Sequence, residues 1–216
     1  MSLPPFLEVT PVLVAPGRYS FTTRNSPLWT TFPPGTRIDA GNDGEEGEVT
    51  VSFPAESAFS LKDLLAQHKN MLPYSEAVAL FHGLAQQFKT LASMHQLFNP
   101  FYDPRGIIVI NGRGCVANPG ALISSVDVGT PYTGSVERMP FLPPEVHTDK
   151  PNVLTPACAI YTLAALTGAS MYPNWTQHMS TAEVTNQISE IVTTPLYWCL
   201  VRCLAVKPEE RVILYL

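Results

Sequence analysis

The sequence predicts an α+β chain in which a β-rich N-terminal part, residues 1–57, precedes a mainly helical part, residues 58–216. Three observations carry that expectation. Up to residue 57, short β-rich runs alternate with Pro- and Gly-containing breaks, the spacing that strands and tight turns produce. Residues 75–95 place their apolar side chains on one helical stripe, the signature of a half-buried helix. From Pro151 to Ala182 there is no Asp, Glu, Lys or Arg, so a helix in that stretch is apolar all round and belongs inside the molecule.

Composition narrows the function classes. The 216 residues are 45% hydrophobic but only 14% charged, against ~25% charged in ordinary domains. With 21 prolines, this predicts a surface of many fixed turns that protein partners partly cover. The formal net charge of -5 and the lack of a Lys/Arg cluster argue against a nucleic-acid ligand, because nothing would release condensed counterions from a phosphate backbone. The opening MSLPPFLEV has no basic stretch ahead of an apolar run and carries Ser at position 2. Neither a signal peptide nor myristoylation is expected from it, and the expected location is cytoplasmic.

Taken in order, residues 6–14 and 19–23 read as strands joined across Ala15-Pro16-Gly17, and Pro33-Pro34-Gly35 is a further break. The acidic, Gly-rich run 39–48 lacks the ligand spacing of an EF-hand and reads as a solvated hairpin connection, followed by an alternating strand at 48–53. Ser60 starts a short helix in which Asp63 can close a capping box. The helix at 75–95 aligns Val78, Phe81, Leu84, Ala85, Phe88, Leu91, Ala92 and His95. His95 has two readings, a core histidine or a catalytic one, and the first is favoured. Residues 107–110 and 113–117 flank Asn111-Gly112 and form a tight hairpin.

The central helix is bracketed at 156–167 by Thr155 as N-cap, Pro156 in the first turn and Gly168 after the last. At ~1.5 Å per residue it is roughly 18 Å long, short of the ~30 Å a membrane span requires. Helices are also expected at 181–192 and 196–204, with a last turn or helix at 209–216. Cys115, Cys158, Cys199 and Cys203 lie in apolar contexts and read as buried free thiols; Cys199 and Cys203 are one turn apart, but no His or second Cys pair stands at ligand spacing. No metal is expected.

The order of these segments resembles the large lobe of a protein kinase, over roughly residues 53–216. The matching residues are SLKDLL (60–65) before a long helix ending in Met94-His95, FLPPEV (141–146), LAALTG (163–168) and CLAVKPEER (203–211). FLPPEV is similar to the family's Ala-Pro-Glu motif with Pro143 in place of Ala. CLAVKPEER is similar to Cys-Leu-x-x-Asp-Pro-x-x-Arg with Lys207 in place of Asp. The resemblance implies a kinase-like fold with a reduced small lobe, and an ion pair between Glu145 and Arg211 beside the central helix.

The resemblance also places the catalytic parts, and they are missing. Where the family has its catalytic Asp stands Phe101, its metal-binding Asn position is Gly106, and the Asp of Asp-Phe-Gly is Asn118. Pro100 replaces the Arg that would read a phosphorylated loop, so phosphate at Thr130 or Tyr132 would lack its receiver. No Gly-rich phosphate loop and no Val-Ala-Ile-Lys strand occur in the first 57 residues. Asp103 alone would have to replace base, metal ligand and lysine together.

The expectation is therefore a catalytically inactive pseudokinase that binds no ATP, metal or other cofactor and works as a protein-binding scaffold or structural subunit. The low charge points to a large assembly, of cytoskeletal or ciliary kind. Expected contact surfaces are the Pro-rich N-terminal hairpins, the loop 126–139 and exposed aromatics such as Trp29 and Trp175, with packing within the lobe an equal reading for Trp29. The alternatives are an allosteric regulator of a partner enzyme, and an unrelated hydrolase or transferase using His95, Asp103 or a cysteine.

Overall fold

The Pro16-Gly17 turn reverses the chain between β1 (Val12–Ala15) and β2 (Arg18–Arg24), with Gly17 in the left-handed region at φ 68°. These two strands join β3 (Arg37–Ala40) and β4 (Glu48–Pro54) in an antiparallel sheet of order β1-β2-β4-β3. The computed structural model describes residues 8–40, 47–94, 96–98, 104–124, 131–132, 143–146, 152–153, 155–174 and 181–213. The expected strand at 6–14 starts later: Val9 is buried and its N–H donates to the Arg105 carbonyl at 3.1 Å, outside the sheet. β3 has no counterpart in the sequence reading. It pairs with β4 from Arg37 opposite Ser52 to Ala40 opposite Val49, so the acidic run, whose residues 41–46 lie outside the described residues, joins two antiparallel neighbours.

The inner face of this sheet is aromatic. A 3₁₀ helix, Pro27–Thr31, starts at Ser26, whose hydroxyl accepts the Leu28 N–H at 3.3 Å. It inserts Trp29 edge-on against Phe21 and Phe32, at ring-centroid distances of 5.6 and 5.4 Å. Phe53 closes the group at 5.6 Å from Phe32. Trp29 is only 3% exposed, which decides between its two readings in favour of packing: edge-to-face contact with Phe21 and Phe32 takes the ring out of solvent.

β5 (Ala58–Ser60) leads into α1 (Leu61–Gln67), where the Ser60 hydroxyl accepts the Asp63 N–H at 3.0 Å and donates to its carboxylate at 2.6 Å. α2 (Tyr74–Ser93) buries Ala77, Leu80, Phe81, Leu84, Ala85, Gln87, Phe88 and Leu91. Val78 is half-buried and Ala92 exposed, so the buried stripe is rotated slightly from the expected one; His95 lies outside the described residues. β6 (Gln96–Phe98) pairs with β9 (Leu122–Ser124).

The hairpin of β7 (Ile107–Ile110) and β8 (Arg113–Val116) turns at Asn111 and Gly112, at φ 49° and 79°, the two positive values a two-residue turn of this kind needs. β8 crosses α2 closely: a Cβ on Gly83 would stand 2.5 Å from the Gly114 carbonyl oxygen. Gln87 ties three segments there. Its Nε2 donates to Thr31 Oγ1 at 2.8 Å and to the Val116 carbonyl at 3.1 Å, and its Oε1 accepts the Val116 N–H at 2.7 Å.

Short strands β10 (Pro131–Tyr132) and β11 (Asn152–Val153) pair before α3 (Pro156–Met171). α3 runs past Gly168, where a stop was expected. Local glycine chemistry yields to burial: Thr167 and Ser170 hydroxyls donate back to the Leu163 and Leu166 carbonyls, and the Ser170 carbonyl accepts the Leu72 N–H at 2.7 Å. Thr155 holds the N-cap position but makes no side-chain cap; its hydroxyl lies 3.4 Å from Cys158 Sγ instead.

α4 (Thr181–Gln187) passes into a 3₁₀ turn, Ile188–Ile191. α5 (Pro195–Cys203) follows, capped by Thr194, and a second 3₁₀ turn, Pro208–Glu210, precedes Arg211. One hydrophobic cluster runs from Phe53 beneath the sheet through Leu84 and Leu91 to Leu163 and Leu200, so the sheet and the helices share a core. Among the described residues no helix is long and apolar enough to cross a membrane.

Candidate functional site

Glu145 and Arg211, 66 residues apart in sequence, meet at the start of α3. Pro143 to Val146 form a tight turn closed by the Val146 N–H on the Pro143 carbonyl at 3.0 Å, which presents Glu145. The Arg211 fork grips both carboxylate oxygens: Nη1 to Oε1 at 2.5 Å and Nη2 to Oε2 at 2.7 Å. The remaining donors reach backbone. Nε donates to the Ala205 carbonyl at 2.8 Å, Nη1 to Ala157 and Nη2 to Val206, both at 3.1 Å.

All five guanidinium protons are thus engaged, which is what burial of this side chain demands; the Arg211 side chain is 0% exposed and that of Glu145 26%. The guanidinium carbon also lies 4.9 Å from the centre of the Tyr161 ring, within cation–π range. Cys158 adds a thiol donor to Glu145 Oε1 at 3.2 Å. Burial works against the Glu145 charge, yet the Arg211 bonds, the residue's own backbone N–H and the Cys158 thiol outweigh it and hold the carboxyl below its usual range. Chemically this is a clamp. It fastens the 143–146 turn, the first turn of α3 and the chain after α5 to one another.

Gly106 and Asn118 also come together, with a different result. They flank the β7–β8 hairpin, and the Ala117 N–H donates to the Gly106 carbonyl at 2.8 Å. A Cβ on Gly106 would stand 2.6 Å from Asn118 Cβ, so a side chain at 106 does not fit. Asn118 is 2% exposed and its Oδ1 accepts the Gly120 N–H at 2.9 Å, capping its own turn. The carboxamide oxygen points into local backbone.

A cleft of about 500 Å³ lies between the sheet's connecting segment and the hairpin, lined by Thr31, Phe32, Pro33, Ile110, Arg113 and Cys115 among others. None of its described lining residues is Asp or Glu. Among the described residues no group of three or more His, Cys, Asp or Glu side chains could hold a metal. The Cys115 and Cys203 thiols are pushed up to about 12 by burial, where neither forms a thiolate near neutral pH.

Phe101, Asp103, His95, Thr130 and Trp175 lie outside the described residues. Two residues that matter went unnoticed in the sequence. Gln87 looks like any polar residue on a helix, and nothing local signals its burial. Trp198 is 55% exposed, and its position was readable: Leu196, Cys199, Leu200 and Cys203 form the buried face of α5, leaving Trp198 and Arg202 on the other. No protein-family model matches the chain, and no curated protein matches it in sequence.

Proposed function

We propose that the chain is a catalytically inactive pseudokinase, a kinase-like large lobe under a reduced small lobe, which acts as a protein-binding scaffold or structural subunit. The observation that carries this reading is the contrast between two pairs of positions. Glu145 and Arg211, which the resemblance assigns to architecture, are joined by two short charge-assisted bonds. Gly106 and Asn118, which it assigns to magnesium, are packed so closely that 106 has no room for a ligand side chain. Phosphoryl transfer depends on metal and charge placed around the phosphates, and the Asn118 oxygen accepts the Gly120 N–H of its own turn.

Titration calorimetry with MgATP on the full chain tests the inactive half: no binding heat is expected, and saturable binding in the micromolar range overturns it. Co-purification from the native cell tests the other half. A stoichiometric protein companion is expected; a free monomer would remove the scaffold role.

A further inference from the structure

The face of α5 that points away from the core displays a large aromatic side chain. Trp198 is 55% exposed, braced edge-on by Tyr197 at 5.2 Å between ring centres, and Val206 nearby is 52% exposed. Together with Ile188 and Val201 they line an open trough of about 500 Å³ between α4 and the chain after α5. One wall is rigid, because the Ala205 and Val206 carbonyls are both held by Arg211.

The charges in the trough select its occupant. Lys207 is neutralised by Glu210 at 3.2 Å, whereas Arg202 is exposed and makes no hydrogen bond or ion pair among the described residues. In a chain of formal net charge -5, the lining of this trough carries an unspent cation. Trp and Arg are the residues most enriched where binding energy concentrates, and a guanidinium pairs best with a planar carboxylate. Trp198 and Arg202 are one helical turn apart on the same face.

We propose that this trough docks a segment of a protein partner which presents a bulky apolar side chain about one helical turn from an Asp or Glu, the apolar group against Trp198 and Val206 and the carboxylate on Arg202. This rests on the scaffold reading and names the chemistry of the partner. An open trough whose apolar lining spreads onto exposed surface suits a polypeptide better than an enclosed small molecule.

A photoreactive benzoylphenylalanine in place of Val206, in the full chain, tests it in native extract, with the cross-linked segment sequenced by mass spectrometry. The expected product is one protein, joined through a segment with an acidic residue within one turn of a large apolar one. Its yield should fall about tenfold or more with Trp198→Ala or Arg202→Glu, and a Lys at the partner's acidic position should restore it to Arg202→Glu. Unchanged thermal unfolding of both variants separates lost docking from lost folding. Cross-linking to a second copy, to a segment without acid, with a yield indifferent to Trp198, or no cross-link at all each overturns the proposal. A companion that still co-purifies in those cases leaves the scaffold reading standing.

Discussion

Asn118 against Gly106 is a steric contact and Glu145 with Arg211 an ionic one, and they are built in opposite ways. In the first, the Asn118 oxygen caps Gly120, two residues on, and its Cβ fills the space above Gly106. The second reaches across 66 residues and fastens Ala157, Ala205 and Val206 as well. A polar group tied locally shapes a turn, whereas one tied across the chain fixes how whole segments sit. Functional polarity of a third kind, aimed at an open space, is what neither pair provides.

The largest effect is expected at the long-range pair. Glu145→Ala leaves a fully buried guanidinium without its anion and should cost ~3–5 kcal/mol in urea unfolding. Arg211→Met strands a carboxylate that is 26% exposed and reaches water, but it also unpairs the Ala157, Ala205 and Val206 carbonyls, so a loss of similar size is expected. Equal small losses, under ~1 kcal/mol as for surface pairs, would show that the clamp is not structural.

Acid separates the two pairs further. Despite burial, the Arg211 bonds hold the Glu145 carboxyl below the usual carboxylate range, so its contribution is complete above that range and disappears as pH falls through the lower folded value. The native chain should therefore lose stability more steeply in acid than Glu145→Gln. Parallel acid-unfolding curves for the two would contradict the clamp.

At the local pair the expected effect is steric and smaller. Gly106→Ala sets a methyl 2.6 Å from Asn118 Cβ, an overpacking that should cost ~1–3 kcal/mol. Because the clash is with Cβ, Asn118→Ala should give no relief while Asn118→Gly should, measured as a double-mutant cycle. Coupling that is the same for Ala and Gly at 118 would place the constraint elsewhere. The same cycle bears on function, since a position that rejects a methyl rejects a metal-binding amide.

How far these features could be read beforehand followed how local their causes are. The β7–β8 turn was plain because Asn111-Gly112 specifies its own backbone. The end of α3 was not, since the local stop at Gly168 is overridden by the bond from Leu72 to Ser170, 98 residues away in sequence and brought there by the core. Trp29 kept two readings, contact surface and packing, because the Phe21 ring it packs on lies in a separate strand that no local pattern ties to it. β3 was overlooked because, with Ile38 its lone large apolar residue, it is a strand by virtue of its pairing with β4. The Glu145–Arg211 contact could be anticipated only through a resemblance; no spacing rule joins residues that distant.

The smallest prediction concerns polarity that is tied to nothing. Thr23 is 3% exposed on the inner face of the sheet, opposite Val49, and its Oγ1 has no hydrogen-bond partner among the described residues. Burying a hydroxyl unpaired is unfavourable by ~1–3 kcal/mol, and Val has the same shape without it and suits a strand. Thr23→Val should therefore raise stability by about 1 kcal/mol, whereas Gln87→Leu, which breaks three bonds across three segments, should lower it. A Thr23→Val variant that is destabilised instead would mean that a bound water satisfies the hydroxyl, and that even this group is part of the structural network.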